Sequence, residues 1–261
     1  MAIVTLTTDW GKMDYYVGAL KGQLLSMCPT ATLVDISHDI SAFNVQQAAF
    51  VIRNSYRHFP DGTVHIVGVN SEPSPKNPFI AIEADGQFFL GTDNGVLSLA
   101  LRSTPTKVIK LHYEPISGFS ALYTFALSAA HLAEGKPLEE LGQLYPEFSQ
   151  MVPIRAAYDD SIINGTIIYI DSFQNAISNI STDLFERVGQ SRSFEILVQS
   201  NHNKLTKISN TYNGTDPGNL LAIFNSVGLL EIAIFHGQAA ELLGLSVGSA
   251  VRVKFYNNVI N

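Results

Sequence analysis

Two acids flank the first strand-to-helix turn of this chain. In "VTLTTDWGKMDYY" (residues 4–16) a β-branched run ends at Asp9, Gly11 follows, and Asp14 stands just before a helical pattern. Turns of this kind commonly seat phosphates, because helix-initial N–H groups and the helix dipole attract anions. Carboxylates repel phosphate, so a ligand with hydroxyl groups or a positive charge suits this turn better. The structural alternative is that each acid caps the helix and complements its dipole. Further polar residues fall just past strand ends: His38 and Asp39 after a second strand, and Asn70 after a third. Carboxyl ends of parallel strands are where open α/β sheets bind ligands. His38 and Asp39 read equally well as turn residues. His65 lies inside a strand pattern and His131 inside a helical one, which marks both as structural. No G-x-G-x-x-G follows the first strand, no G-x-x-x-x-G-K-[ST] occurs, and no H-E-x-x-H suggests zinc. Scattered Asp and His residues at strand ends leave a Mg²⁺- or Mn²⁺-dependent phosphohydrolase as a rival reading.

Strands and helices alternate over residues 1–150. Residues 3–7 form a buried-strand pattern, and 15–27 a helix with Val17, Leu20 and Leu24 on one face. Gly18 and Gly22, four apart, predict a flat strip where that helix lies close on a sheet. "ATLVDIS" (31–37) and "TVHIVGV" (63–69) are strands, separated by a helix over 44–59 with Asn44 as its cap. Strands separated by helices imply a largely parallel sheet. "FIAIEADGQFFLG" (79–91) reads as a hairpin through Asp85 and Gly86, and 122–137 as a last long helix. From 151 to 261 the texture is short strands between Gly, Asn and Asp turns, with one short helix at 238–244. That pattern predicts an α/β domain over 1–150 followed by an all-β barrel over 151–261.

Of the 261 residues, 46% are hydrophobic and only 15% charged, which implies that other subunits cover part of the surface. The formal net charge of −7 argues against nucleic acid or an anionic membrane as partner. Cys28 is the one cysteine, which excludes an internal disulfide and a cysteine metal cluster; before Pro29 it reads as a packed small hydrophobe. The first residues carry no basic segment or long apolar stretch, so no signal peptide is expected. No apolar window reaches about 18 residues, so no membrane span is expected. The expectation is a soluble, cytoplasmic protein.

Six segments in order, "TTDWGKMDYYVGALKG", "VDISHDI", "GTDNGVLSLAL", "AAHLAEGKPLEELG", "IDSFQNAISNI" and "NSVGLLEIAI", carry a further signal. Together they resemble the S-adenosylmethionine hydroxide adenosyltransferases. These are the adenosine-forming S-adenosylmethionine hydrolases, grouped with the fluorinating and chlorinating enzymes. The resemblance implies an α/β domain followed by a β-barrel, and a homotrimer with ligands held between subunits. It implies no separate cofactor and no metal, S-adenosylmethionine being the substrate. By the resemblance, Asp9 grips the ribose hydroxyls and Asp14 faces the methionine ammonium. Phe43 lines the nucleoside pocket, and Asp171, Phe173 and Asn175 contact the nucleoside, with Asn175 reading the adenine. Tyr212 stacks, and Asn225 and Ser226 reach the methionine end.

The catalytic positions depart from the family pattern. The hydrolases direct a water-derived hydroxide at C5′ with an Asp, an Arg and a His. Their stretch reads roughly V-V-D-P-G-V-G-x-x-R-R, where this chain has "VGVNSEPSPKNP" (67–78). That places Asn70 at the Asp and Asn77 at the Arg. Ser120, in "FSALY", stands where the family has its His. Asn accepts no proton, and Ser needs a base beside it. A halide needs no deprotonation, which keeps a halide-using adenosyl transferase in view. However, Pro73 and Ala121 replace the hydroxyls that the fluorinating relatives offer. Glu72 and Lys76 are the nearby groups that could supply a different centre. A catalytically silent protein binding adenosine or S-adenosylmethionine is the remaining alternative.

Overall fold

The computed structural model describes residues 2–115, 118–200 and 203–256. The chain divides into two compact units, Met1–Pro153 and Ile154–Asn261.

In the first unit the strands are β1 (Ile3–Thr8), β2 (Thr32–Ser37), β3 (Val64–Gly68), β4 (Phe79–Ala84), β5 (Gln87–Thr92), β6 (Lys107–Leu111) and β7 (Gly142–Leu144). They form one sheet in the order β2-β1-β3-β5-β4-β6-β7. Its helices are α1 (Tyr16–Met27), α2 (Val45–Arg53), α3 (Val96–Ala100) and α4 (Ser120–Ala133). Alternate strand residues face opposite layers. Val4, Leu6, Val64 and Ile66 pack with Leu20, Leu24 and Phe125 of α1 and α4. Val67, Ile80 and Ile82 pack with Ala48, Ile52 and Leu97 of α2 and α3. Helices on both faces leave β1 and β3 buried almost throughout, their threonines and His65 included.

The sheet is mixed rather than largely parallel. β1 pairs in parallel with β2 and β3, and β3 with β5, while β4–β5, β4–β6 and β6–β7 are antiparallel. The reversal starts at the predicted hairpin, where Asp85 (φ 49°) and Gly86 (φ 73°) supply the two left-handed residues of a tight turn. Asn44 caps α2 through Gln47 N–H at 3.0 Å. This helix stops at Arg53, short of the expected residue 59. There Asn54 Nδ2 and Ser55 Oγ donate back to the Phe50 and Val51 carbonyls, and a 3-10 turn (Tyr56–His58) follows. The expected close approach at Gly18 and Gly22 is not found: both are exposed, and a Cβ on either would meet nothing within 4 Å.

The second unit is not purely β. Its strands are β8 (Ala157–Tyr158), β9 (Ile162–Ile170), β10 (Ala176–Ser181), β11 (Ser193–Val198), β12 (Lys204–Leu205), β13 (Ile208–Ser209), β14 (Leu220–Phe224), β15 (Leu229–Ile234) and β16 (Ala250–Tyr256). They make a nearly closed, barrel-like sheet in the order β12-β11-β16-β9-β10-β15-β14-β13, with β8 on β9. The helices are α5 (Thr182–Gly189) and α6 (Ala239–Leu243); the sequence pattern suggested only the second. Ser181 caps α5 through Leu184 N–H at 3.2 Å. Phe185 turns this helix into the barrel core, edge-on to Phe194, Phe224 and Phe255 at 5.0–5.3 Å.

Candidate functional site

In the first unit the carboxyl ends of β1, β2, β3 and β5 share one edge of the sheet, because these strands run in parallel. Asp9 stands there, just past β1. Its Oδ2 accepts the backbone N–H of Phe43 at 2.8 Å and of Asn70 at 3.0 Å. Both donors belong to left-handed residues, Phe43 at φ 64° and Asn70 at φ 45°. Such backbone costs on the order of 1–3 kcal/mol each and persists only where the surroundings hold it. A carboxylate oxygen has about two acceptor sites. Oδ2 is therefore filled, and Oδ1 is the acceptor left for a ligand.

The capping alternative fails for both acids. The N-cap of α1 is Tyr15, which makes no side-chain cap bond, and no acid lies in the first turn. Asp14 is exposed beside Met13 and Tyr15, and Phe43 is 72% exposed. His38 and Asp39 brace the turn. The buried His38 ring shares a 2.8 Å hydrogen bond with Thr8 Oγ1 and approaches Asp35 Oδ1 at 3.1 Å. Burial alone would raise Asp35, but bonds from Lys21 and His38 hold its carboxyl below the usual range. Asp39 pairs with Lys12, and Gly11 N–H donates to His38 O at 3.1 Å.

The three residues that the resemblance sets at the catalytic positions, Asn70, Asn77 and Ser120, are placed as follows. Asn70 follows β3, and its carbonyl accepts from Asn94 Nδ2 at 3.0 Å. Asn77 lies just before β4, which pairs Phe79 with Thr92 at the end of β5. With its nitrogen turned to the carbonyls, the Asn77 amide donates to Lys76 O at 3.0 Å and Asp93 O at 3.2 Å. Ser120 is buried in the first turn of α4. The preceding Phe119 packs edge-on to Trp10 at 4.8 Å, beside Asp9. Trp10 in turn lies over Gly68, where a Cβ would sit 2.5 Å from the indole. Asn70 and Asn77 are thus a strained loop residue and a turn brace, and neither can take a proton. Glu72 and Lys76 are exposed in the loop between them. Among the described residues no three His, Cys, Asp or Glu side chains form a group that could hold a metal ion.

The predicted residues of the second unit form two linked clusters. Asp171 organises the loop after β9: its Oδ1 accepts from Phe173 N at 2.9 Å and Asn175 N at 2.8 Å. Asn175 Nδ2 donates to Asp171 Oδ2 at 3.2 Å, which leaves the side-chain Oδ1 of Asn175 open as an acceptor. Phe173 stands exposed at the tip. In the second cluster Tyr212 donates to Glu231 Oε1 at 2.8 Å, and Asn225 Nδ2 to Glu231 Oε2 at 3.0 Å. Ser226 is exposed on the turn that follows β14. Burial raises the Glu231 carboxyl, bonds from Asn225 and Tyr212 oppose this, and the charge of Asp171 adds to it. Burial first, and then the bond to Glu231, pushes the Tyr212 phenol far above its usual range. Glu231 escaped the residue-by-residue reading. Its signal was present all the same, as one acid inside the apolar strand "LLEIAI".

Comparison with known proteins finds a family match in each unit. Residues 4–142 match the model of the SAM hydroxide adenosyltransferase N-terminal domain, and 165–252 that of the C-terminal domain. The chain belongs to the S-adenosylmethionine hydroxide adenosyltransferase family. It is 31% identical over 258 residues to an (R)-S-adenosyl-L-methionine hydrolase of Methanocaldococcus jannaschii, covering 93% of this chain and 92% of that one. It is 26% identical to a fluorinase of Actinopolyspora mzabensis, covering 96% of each. A crystal structure of an uncharacterized conserved protein from Thermotoga maritima superposes with a TM-score of 0.86 at 26% identity. It covers 97% of this chain and all of that one.

Proposed function

We propose that this protein binds S-adenosylmethionine through its adenosine part and hydrolyses it to adenosine and methionine only slowly. The observation that carries this reading is Asp9, whose carboxylate is anchored by two backbone N–H groups and keeps one oxygen open. An anchored acceptor at the end of parallel strands suits a ribose diol. Asp14 then faces the methionine ammonium and Phe43 lines the nucleoside pocket. Asp171 holds the loop on which Phe173 meets the nucleoside, and the open oxygen of Asn175 accepts from the adenine amino group. Tyr212 stacks, with Asn225 and Ser226 toward the methionine end. In the homotrimer that the family resemblance implies, neighbouring subunits complete each site.

Sulfonium is a good leaving group, so what hydrolysis lacks here is an oriented, deprotonated water. A positioned base typically contributes about 10²–10⁴ in rate. The triple change Asn70→Asp, Asn77→Arg, Ser120→His should raise adenosine release, by up to ~10²–10⁴ if the geometry is recovered. Pro73, Pro75 and Pro78 stiffen the loop and work against full recovery. Adenosine and methionine are followed by chromatography at neutral pH, with EDTA, chloride and fluoride in parallel runs. Fast hydrolysis by the wild type would overturn the proposal that the replaced residues disable water attack. A halide-dependent nucleoside product would favour the transferase reading instead, and activity abolished by EDTA the metal-dependent one.

A further inference from the structure

We propose that Glu231 is a positioning residue: its buried carboxylate sets the Tyr212 ring and the 225–229 turn for the ligand. The inference rests on the proposed function for what those groups contact, and on geometry alone for how they are held.

Glu231 sits mid-strand in β15, opposite Ile177 of β10 on one side and Ile223 of β14 on the other. Strand alternation separates its face from that of Leu230 and Ile232, which fill the barrel core. On the Glu231 face lie Ala233 and, from β14, Leu221 and Ile223. The residue is nevertheless only 2% exposed. Among the described residues, what acts on it is burial, two neutral donors and a second acid, Asp171. A buried acid held only by two neutral donors between two isoleucines is a poor choice for strand stability. What it provides is two acceptor oxygens at a fixed spacing.

Each oxygen holds a different segment. Oε1 takes the Tyr212 hydroxyl, from the connection between β13 and β14. The ring is fastened at its polar tip while 44% of the residue stays exposed. Oε2 takes the Asn225 amide nitrogen. The Asn225 oxygen meanwhile accepts from Val227 N at 3.2 Å and Leu229 N at 3.1 Å, which fixes the amide's orientation and closes the turn. One carboxylate therefore couples two loops that the proposed ligand would touch together, while being too deeply covered to touch it itself.

The conservative replacement separates positioning from charge. In Glu231→Gln the side-chain oxygen still accepts from Asn225, and its nitrogen can donate to the Tyr212 oxygen. Glu231→Leu provides neither bond. Calorimetry with adenosine on the full chain should give Gln within about threefold of wild type, and Leu at least about tenfold weaker. Leu binding like wild type, or Gln failing as badly as Leu, would overturn the proposal. Amide hydrogen exchange without ligand is the second readout. Glu231→Leu should speed exchange in 210–219 and 225–229 and leave the other strands unchanged. Should the Leu variant not fold, Tyr212→Phe cuts one bond near the surface and should loosen 210–219 alone. Unchanged exchange in these segments defeats the proposal. Wild type that does not bind adenosine defeats the proposed function instead, and exchange alone then decides the role of Glu231.

Discussion

At the scale of single residues, Asp9 has two tasks that different substitutions separate. Asp9→Ala removes the ligand acceptor and also frees the left-handed Phe43 and Asn70. Hydrogen bonds to a charged group are worth about 1.5–3 kcal/mol each, so adenosine affinity should fall at least about tenfold. Asp9→Asn keeps one oxygen for the two backbone donors, so its melting temperature should stay closer to wild type than that of Asp9→Ala. Calorimetry and thermal melts on the pair check this, and wild-type affinity in Asp9→Ala would remove Asp9 from the ribose. Asp9 was legible because an acid at the turn after a buried strand conflicts with the usual phosphate role. That its Oδ2 is consumed by main-chain donors was not legible, because Phe43 and Asn70 lie 34 and 61 residues away. Glu231 was hidden for a similar reason, since its meaning depends on loops folding over the outer barrel face.

At the scale of the element, β3 carries a buried histidine that ties stability to pH. The Gln87 amide nitrogen donates to Phe59 O at 2.7 Å, so its oxygen faces His65 Nε2, which must donate to it at 2.8 Å. Nδ1 then accepts from Thr5 Oγ1 at 2.7 Å. The neutral ring is fully satisfied, and a second proton on Nδ1 would force the Thr5 hydroxyl to turn round and accept instead of donating. Burial, against a smaller opposing effect from Gln87, takes the pKa from 6.5 to about 4. The unfolded chain thus binds a proton near pH 6.5 that the folded one refuses until about 4. Stability is complete above this window and falls as pH drops through it, by roughly 2 kcal/mol at pH 5. Denaturant unfolding at pH 7 and pH 5 should show that loss in wild type and a smaller one in His65→Gln; equal losses would refute the linkage. The same strand shows what pattern can convey. Strand periodicity placed His65 inside, and "DG" placed the hairpin, because both signals are local. The short α3 and α5 stand between strands with little periodicity of their own, and unlike the equally short α6 neither is flanked by a glycine on each side. The antiparallel part of the sheet was legible only at the hairpin, because β6 and the three-residue β7 that extend it carry no comparable local signal.

At the scale of the whole molecule, Met13 and Phe173 are exposed by 99% and 74% although only 15% of the chain is charged. That exposure suits cover by other subunits; the family resemblance implies three, so light scattering at micromolar concentration should give the mass of a homotrimer, and a clean monomer would count heavily against sites completed by neighbouring subunits. The long strand β9 has a consequence of another kind. Its first half pairs with β16 and its second half with β10, so Asn164 bonds Arg252 across 88 residues of chain. Contacts so distant in sequence slow folding, because loop closure must precede any gain from pairing. During synthesis the first unit can condense while the second is still emerging. The barrel must wait for β16, the last described strand, and until then the first half of β9 has only the two-residue β8 beside it.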